Sequence, residues 1–310
     1  MSESVSAVVC THDVARWDAL VRAVVSLQRQ ALAPIEVVVV VDHNPGLLSR
    51  VRAELPEVVA VANDHEQGLS GARNTAVAAA RGTLVAFLDD DAEAASDWLE
   101  LLVATCSREG VLGAGGRVLP RWLGERPAWF PAEFLWVVGC TYEGVPTVSS
   151  PVRNLYGGCF CIRRSVFERI GGFRSELGRV GANRMGCEET ELCIRAAQGS
   201  DDARFWYEPA AVIVHDVPAD RTTWSYFRSR CYAEGVSKAR LSQLVGADAG
   251  LSTERAYVRR TLPGGVGRGV RDAVTGADAA GALRAGAIAG GLAITAVGYG
   301  RELLSSRLAR

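Results

Sequence analysis

Three consecutive aspartates, Asp89, Asp90 and Asp91, follow a short apolar run and have the strongest potential for chemistry in this sequence. Adjacent carboxylates repel one another, so a fold keeps them only with a compensating cation or with hydrogen bonds. On an extended chain end, Asp89 and Asp91 face the same side and can hold a hard divalent ion that keeps open positions for diphosphate oxygens. A solvated acidic turn before a helix explains the same residues equally well. The triplet alone leaves both interpretations open.

A second pair of carboxylates, Glu188 and Glu189, and a histidine, His215, also stand at the ends of predicted elements. The two glutamates begin a predicted helix, where acidic residues complement the helix dipole even without a catalytic role. His215 follows a predicted strand, and a neutral imidazole there is a suitable ligand for Mn²⁺. A histidine at a strand end is nevertheless more often structural than a ligand.

The elements that must position these residues alternate between strand and helix in the first hundred residues, the pattern of a layered βαβ sheet. In open parallel sheets, ligands lie outside the carboxyl ends of the strands. Thr11 and Asp42 follow the first two strands, and the aspartates follow the fourth, so one crevice is expected to collect all three groups. The predicted strands are Val5–Cys10, Ile35–Val41, Val58–Ala62 and Thr83–Leu88, and the helices between and after them are Asp18–Arg29, Leu47–Leu55, Gly68–Arg81 and Asp97–Cys106.

The second half of the chain is less regular. Residues 113–160 combine aromatic residues with prolines, which is typical of a substrate-facing loop or of a packing patch. The expected domains are a catalytic domain over 1–245, with a nucleotide-binding half over 1–112 and an acceptor half over 113–245, and a C-terminal helical appendage over 246–310. The remaining predicted elements are strands Leu155–Arg163 and Ala211–Val214 and helices Ser165–Ile170, Glu188–Ala197 and Trp224–Val245.

The composition excludes several classes of protein. Of 310 residues, 48% are hydrophobic and 22% charged, so a core can form and disorder is not expected. The formal net charge is −1 and 7% of residues are aromatic, which argues against nucleic-acid binding. Eight scattered cysteines without a CxxC pair, and no signal peptide at the N-terminus, predict a cytoplasmic protein with reduced thiols.

Six motifs in order make the sequence resemble the family 2 glycosyltransferases, which have the GT-A fold. The resemblance covers roughly residues 5–235, and it implies an α/β, Rossmann-like nucleotide-diphospho-sugar transferase with a mostly parallel sheet. The sequence is also similar to the glucosyl-dolichyl-phosphate glucuronosyltransferase-like branch of that family, whose acceptors are lipid-linked. The motifs are VVCTHD at 8–13, VVVVVDHN at 37–44, GLSGARN at 68–74, VAFLDDDA at 85–92, YGGCFCIRRSVFERIGGF at 156–173 and GCEETELCIRA at 186–196.

This resemblance implies a role for each candidate residue. Asp91 and His215 are implied metal ligands, with Mn²⁺ or Mg²⁺ as the ion, and Glu189 is the implied catalytic base. Glu189 stands where relatives usually have Asp, so its side chain is one methylene longer. The implied contacts of the nucleotide sugar are Thr11, Asp42, Arg73, Asn74, Asp89 and Asp90, and those of the sugar or acceptor are Gly157, Gly158 and Glu188. Packing of a helix surface remains the alternative for Arg73 and Asn74.

The expected reaction is therefore an inverting transfer of one sugar from a nucleotide-diphosphate sugar, a UDP-sugar, to a hydroxyl. The acceptor is a small molecule, a glycan or a lipid-linked molecule. The QxxRW stretch of processive synthases is absent, which favours a single transfer. An apolar stretch flanked by Arg284 and Arg301 predicts peripheral contact with the inner face of the membrane, packing on the catalytic domain or a homodimer contact. The alternative functions are a nucleotidyltransferase and a non-catalytic module that binds nucleotide sugars.

Overall fold

A computed structural model describes residues 3–178, 185–198 and 202–308. The chain divides into two compact units. The first unit comprises Met1–Leu119, Pro146–Asn183 and Glu188–His215, and the second comprises Pro120–Val145, Arg184–Cys187 and Asp216–Arg310. The boundary predicted at residue 245 stays a prediction.

A sheet of nine strands within the described residues forms the centre of the first unit. Its order is β3-β2-β1-β4-β8-β6-β9-β5, and β7 pairs with β9 beside this path. The strands are β1 (Val5–Thr11), β2 (Glu36–Val41), β3 (Val59–Ala62), β4 (Leu84–Asp89), β5 (Ala92–Ala94), β6 (Val111–Trp122), β7 (Ser150–Val152), β8 (Cys159–Arg163) and β9 (Arg204–Val217).

The first four strands are parallel and mostly apolar, as in parallel sheets that helices cover on both faces. In β2 all six residues are buried. After β4 the sheet becomes mixed: β8 runs antiparallel to β4, and β6 antiparallel to β8. Phe87 of β4 stacks on Phe160 of β8 at 4.8 Å between ring centroids, inside the main apolar cluster. The predicted α/β architecture with parallel strands at its N-terminal half is confirmed.

The helices of the first unit connect the strands, and those of the second unit pack mostly on one another. In the second unit, Gly235 and Gly298 let α7 and α11 approach closely, since a Cβ at Gly235 would lie 2.1 Å from the carbonyl oxygen of Thr295. The helices are α1 (Trp17–Gln28), α2 (Pro45–Glu54), α3 (Leu69–Ala79), α4 (Trp98–Cys106), α5 (Arg164–Ile170), α6 (Glu188–Ala197), α7 (Trp224–Val245), α8 (Ala247–Gly250), α9 (Ser252–Ala256), α10 (Leu262–Val274) and α11 (Gly281–Leu308). Short 3-10 helices cover Val14–Arg16, Ala132–Val138 and Ala219–Thr222, and a π-helical turn covers Tyr257–Thr261.

Two strands are longer than the sequence pattern predicts. β6, which the sequence pattern does not predict as a strand, begins at Val111 and runs into the segment 113–160 expected to be irregular, and β9 extends well beyond the predicted Ala211–Val214. Glycine and proline are depleted in strands, and β6 contains both. Gly116 of β6 is required by packing, because a Cβ there would lie 2.0 Å from the carbonyl oxygen of Ala211 in β9.

One helix in the described ranges has the length and apolar composition to cross a membrane. It is α11, whose most apolar 18-residue window has a mean hydropathy of 1.4. The helix extends at both ends beyond the apolar stretch that lies between Arg284 and Arg301 in the sequence. One third of the window, 33%, is buried within the protein, and a core helix meets the same criteria.

Candidate active site

The aspartates and His215 meet where β4 and β9 bring their ends to one edge of the sheet. Asp89 ends β4, and Asp90 and Asp91 form the turn into β5. Because β5 pairs antiparallel with β9, with Ala92 opposite His215, the histidine lies beside the turn. Its Nε2 is 3.1 Å from Oδ1 of Asp91. One ligand atom each from Asp89, Asp91 and His215 lies within 4.8 Å of the others.

This donor set fits a divalent ion. Two carboxylate oxygens and one imidazole nitrogen suit Mn²⁺, and carboxylates also suit Mg²⁺. Asp91 and His215 are buried, while Asp89 is partly exposed, so the group opens toward solvent on the side of Asp89. The sequence pairs Asp89 with Asp91 as a possible clamp for the ion, and the family resemblance implies Asp91 and His215 as ligands. The structure brings all three side chains together.

Asp90 is held by protein groups. Its Oδ2 accepts a hydrogen bond from the Thr11 hydroxyl at 2.7 Å, and its Oδ1 lies 2.8 Å from Nη1 of Arg16. The same nitrogen is 3.1 Å from Oδ2 of Asp91. Burial, together with the charge of Asp91, raises the pKa of Asp90, although Arg16 and Thr11 partly offset this.

Arg16 is the site residue that sequence reasoning missed. Burial alone lowers the pKa of Arg16, but Asp90, Asp91 and Asp89 outweigh it and raise that pKa above its usual value. The guanidinium is therefore charged at every relevant pH. Its only signal in the sequence is its position in the segment after β1, at the sheet edge where the aspartates lie.

Asp42, at the end of β2, makes contacts that fix both of its oxygens. Oδ1 accepts from the Asn63 amide at 2.6 Å and lies 2.9 Å from Nδ1 of His43. Oδ2 accepts from the backbone N–H of Gly68 at 2.9 Å, just before α3. A carboxylate offers about four acceptor positions, so Asp42 can still accept a further hydrogen bond.

A buried arginine connects α3 with the predicted base. Nη1 of Arg73 lies 3.1 Å from Oε1 of Glu188 and 2.9 Å from Oε1 of Glu189, at the first turn of α6. Burial raises the pKa of Glu189, but the charge and hydrogen bond of Arg73 outweigh it, so the pKa of Glu189 lies below its ordinary value. Glu189 is therefore ionised at neutral pH.

The glycine pair Gly157-Gly158 lies directly against both carboxylate groups. A Cβ at Gly157 would lie 2.4 Å from Oε1 of Glu189, and one at Gly158 would lie 2.2 Å from Oδ2 of Asp89. Gly158 also has a φ of +77°, which other residues rarely adopt. The metal-ligand candidate Asp89 and the base candidate Glu189 thus each lie against one residue of this glycine pair.

Asn74 is used to tie α3 to the chain after α5. Its amide donates to the carbonyl oxygen of Phe173 at 2.9 Å, and its Oδ1 accepts from the backbone N–H of Phe173 at 2.8 Å. Asn74 is thus engaged with the backbone. The other predicted site residues that the described contacts link to one another are Thr11, Arg73, Asp89, Asp90, Asp91, Gly157, Gly158, Glu188, Glu189 and His215. Contact between Asn74 and a nucleotide stays a prediction.

A mixed sheet with a carboxylate–imidazole group at one edge, and a second carboxylate pair at the start of α6, agrees with the GT-A glycosyltransferase class that the sequence motifs imply. The profile of the family described as Glycosyl transferase family 2 matches residues 6–171. The chain belongs to this family.

Two curated relatives and one solved structure illustrate the similarity. Glucosyl-dolichyl phosphate glucuronosyltransferase of Haloferax volcanii is 34% identical over 238 residues, covering 76% of each chain. Succinoglycan biosynthesis protein ExoM of Rhizobium meliloti is 24% identical over 241 residues, covering 75% of this chain and 73% of that protein. The mannosyltransferase PcManGT of Pyrobaculum calidifontis, solved with GDP-Man and Mn²⁺, shares the fold with a TM-score of 0.61 and 21% identity, over 98% of this chain and 88% of that one.

These similarities confirm the predicted family, its GT-A fold and the resemblance to the glucosyl-dolichyl-phosphate glucuronosyltransferase-like branch. The chain is a glycosyltransferase. This assignment favours sugar transfer over the two alternatives, a nucleotidyltransferase and a non-catalytic binding module.

Proposed function

We propose that this glycosyltransferase is an inverting, metal-dependent enzyme that moves one sugar from a UDP-sugar to a hydroxyl of a lipid-linked acceptor. The observation that carries the proposal is the arrangement around Gly157-Gly158. The Asp89 carboxylate lies against one glycine and the Glu189 carboxylate against the next. A donor held at the aspartates would therefore have a base close to its sugar.

Glu189 acts as the general base in this reaction. It takes the proton of the acceptor hydroxyl as that oxygen forms a bond to the anomeric carbon. The bond between the anomeric carbon and the diphosphate oxygen breaks on the opposite face, and its electron pair leaves with the nucleoside diphosphate. Attack opposite to the leaving group inverts the anomeric configuration.

The residues around Glu189 keep it ready for this step. Arg73 holds one oxygen of Glu189 and lowers its pKa, so the side chain is an unprotonated acceptor at neutral pH. Glu188 shares the same guanidinium and, with Gly157 and Gly158, is proposed to line the sugar and acceptor side.

Asp89, Asp91 and His215 are the residues that would hold Mn²⁺ or Mg²⁺. Such an ion supplies Lewis-acid stabilisation of the diphosphate as negative charge develops on it. Thr11, Asp42, Arg73, Asn74, Asp89 and Asp90 are proposed to form the nucleotide side of the site. Asp42 is suited to a base N–H, because it is a carboxylate with acceptor positions left.

The lipid-linked acceptor is proposed from two observations. The Haloferax volcanii relative is named for a dolichyl phosphate substrate. In addition, α11 is long and apolar. The segment from Arg259 to Arg310 contains eight arginines and three acidic residues. We place the protein in the cytoplasm at the inner face of the membrane. A homodimer stays a prediction that light scattering tests.

The central test combines a panel of nucleotide sugars with Mn²⁺ and measures the release of nucleoside diphosphate. For the accepted donor, Glu189→Gln should lower kcat by about 10²–10⁴-fold, the usual contribution of a general base. Donor binding, measured by calorimetry, should stay unchanged because Gln retains the shape of Glu. Asp91→Asn should abolish both metal binding and release.

Glu109→Gln is the matched control, since Glu109 is an exposed glutamate outside the site. Its turnover should equal that of the wild type. Unchanged turnover in Glu189→Gln would remove Glu189 as the base. Activity in Asp91→Asn, or no release from any donor, would overturn the proposed function itself.

A further inference from the structure

We propose that Arg16 is a positioning residue that acts as the internal counter-cation of the aspartate triplet, Asp89–Asp91. Its positive charge reduces the negative charge of the triplet. A bound divalent ion then neutralises the group, and the group does not repel a diphosphate. This inference rests on the proposed function, because it concerns the same metal and donor. Its specific claim is that Arg16 weakens the binding of the free ion while it strengthens the binding of the nucleoside diphosphate.

Hydrogen bonds within the chain hold the backbone around Arg16. Arg16 ends the short 3-10 helix Val14–Arg16, and the side chain of Asp13 caps that helix by accepting from the N–H of Ala15 at 2.9 Å. The N–H of Arg16 itself donates to the carbonyl oxygen of Asp13 at 3.1 Å. The guanidinium therefore extends from a constrained turn toward the triplet.

Its contacts divide the triplet into two parts. Asp90 has one oxygen on Arg16 and the other on Thr11, so neither oxygen is needed elsewhere. Asp91 has Oδ2 on Arg16 at 3.1 Å, while Oδ1 faces His215 at 3.1 Å. Arg16 therefore contacts Oδ2 of Asp91, whereas Oδ1 is the oxygen on the side of the other two ligand candidates, Asp89 and His215.

The formal charges explain why the contact of Arg16 with the triplet affects ligand binding. One guanidinium against three carboxylates leaves the group with a formal charge of −2, which equals the charge of one divalent ion with the sign reversed. Without Arg16 the group would carry −3 and bind a free divalent ion more tightly. It would then remain negative with the ion bound and repel a diphosphate. The Arg16 side chain is 31% exposed, so solvent-borne ligands can reach it.

The test measures two affinities on the full-length protein, with Mn²⁺ alone and with UDP or GDP at saturating Mn²⁺, by calorimetry. Arg16→Gln should bind Mn²⁺ about tenfold more tightly and the nucleoside diphosphate about tenfold more weakly, since a unit charge a few ångströms away is worth about that much in a partly solvated site. A residue with a merely structural role would weaken both affinities. Arg16→Lys, which keeps the charge, should restore both to within about threefold of the wild type.

Asp90→Asn completes a thermodynamic cycle. Alone, it should weaken Mn²⁺ binding by about tenfold, because it removes a negative charge from the same group. Combined with Arg16→Gln, it restores the charge of −2, and Mn²⁺ affinity should return to within about threefold of the wild type. Arg164→Gln, which removes an exposed arginine of α5 paired with Glu168, serves as the control with unchanged affinities.

The outcomes separate this inference from the proposed function. If the wild type binds Mn²⁺ through Asp91 but Arg16→Gln binds it equally or more weakly, the role of Arg16 is overturned and the metal site stands. The same holds if the double variant is weaker than either single variant, which would indicate local unfolding. If the wild type binds no Mn²⁺, both the proposed metal site and the proposed role of Arg16 are wrong.

Discussion

A methyl group at Gly158 would lie where Asp89 places its carboxylate. Ala at this position faces a φ of +77° and a distance of 2.2 Å from its Cβ to Oδ2 of Asp89. We expect Gly158→Ala to lower the free energy of unfolding by about 1–3 kcal/mol through backbone strain. It should also displace Asp89 and weaken Mn²⁺ binding. Thermal unfolding and Mn²⁺ titration measure the two effects separately.

Gly171 provides the matched control for this prediction. It has a φ of +79°, but a Cβ there meets no atom within 4 Å. Gly171→Ala should therefore show a comparable loss of stability with unchanged Mn²⁺ affinity. Equal Mn²⁺ affinities in the two variants would mean that Asp89 does not depend on the glycine.

The pairing of Arg73 with Glu189 makes a prediction about pH. Because Arg73 holds the pKa of Glu189 below its ordinary value, the acid limb of kcat/KM in the wild type should lie below the ordinary pKa of a glutamate side chain. Arg73→Lys keeps a positive charge but loses the geometry that reaches both glutamates. The acid limb of that variant should move to higher pH, because less of the lowering of the Glu189 pKa remains. A pH–rate profile of the two proteins measures the shift.

The same pairing affects stability. A carboxylate with a lowered pKa in the folded protein stabilises it above its unfolded pKa, and this contribution is lost as the pH falls through the folded pKa. Arg73→Lys should therefore reduce the stability difference between neutral and acidic pH. Arg164→Gln, at the exposed pair on α5, should leave the profile unchanged. An acid limb that does not move in Arg73→Lys would rule out Arg73 as the cause.

At the level of single residues, the sequence predicts carboxylates better than their partners. Asp91 is predictable because it follows a strand of the parallel sheet, and the carboxyl ends of such strands meet at one edge. His215 lies on β9, which pairs antiparallel with β5 and β7, and its role is implied by the family resemblance alone. Arg16 is not predictable in this way, since its partners are 74 and 75 positions along the chain and the contact depends on the turn after β1. The close approach of Gly157-Gly158 to two carboxylates likewise requires the assembled sheet.

At the level of elements, the packing of β6 requires glycine, and its glycines also interrupt the strand pattern in the sequence. A Cβ at Gly116 would lie 2.0 Å from the carbonyl oxygen of Ala211 and 2.9 Å from Sγ of Cys159. Since both neighbours are buried, Gly116→Ala should destabilise the protein by about 1–3 kcal/mol. The shift of the urea unfolding midpoint measures this loss.

Gly46, in α2, is the control for this prediction. A Cβ there meets only Asn44 Oδ1 at 3.7 Å, so Gly46→Ala should be neutral or stabilise by about 0.4–1 kcal/mol. Similar losses in both variants would show that the contact between β6 and β9 is not what requires glycine at position 116.

The parallel half of the sheet could be predicted element by element, and the antiparallel half only in part. β8 falls within the predicted strand Leu155–Arg163, whereas β6 and most of β9 are not recognised in the sequence. β1, β2 and β4 are runs of β-branched and apolar residues buried on both faces, which the pattern identifies. β6 carries three glycines and a proline, and β9 contains Pro209, so both lack a continuous strand pattern. Their strand structure depends on pairing with neighbours that are distant in sequence.

At the level of the whole molecule, charge and apolar surface are unevenly distributed along the chain. The total formal charge is −1, yet the segment Arg259–Arg310 contains eight arginines and three acidic residues. In the same segment, Val297 and Leu304 of α11 expose 62% and 63% of their surface. Exposed apolar side chains next to arginines are typical of a helix that binds an anionic membrane surface.

The full chain should therefore bind vesicles that contain anionic lipids, and high salt should weaken this binding because the arginine contribution is screened. Val297→Glu combined with Leu304→Glu should reduce the affinity for such vesicles by at least about tenfold, since both changes remove apolar contacts and add negative charge. Val59→Glu combined with Val148→Glu adds the same charge at exposed positions of the first unit and should leave binding unchanged. Co-sedimentation with anionic and with zwitterionic vesicles measures these differences. If the chain stays in the supernatant with anionic vesicles, or if both double variants bind equally well, α11 does not dock on the membrane.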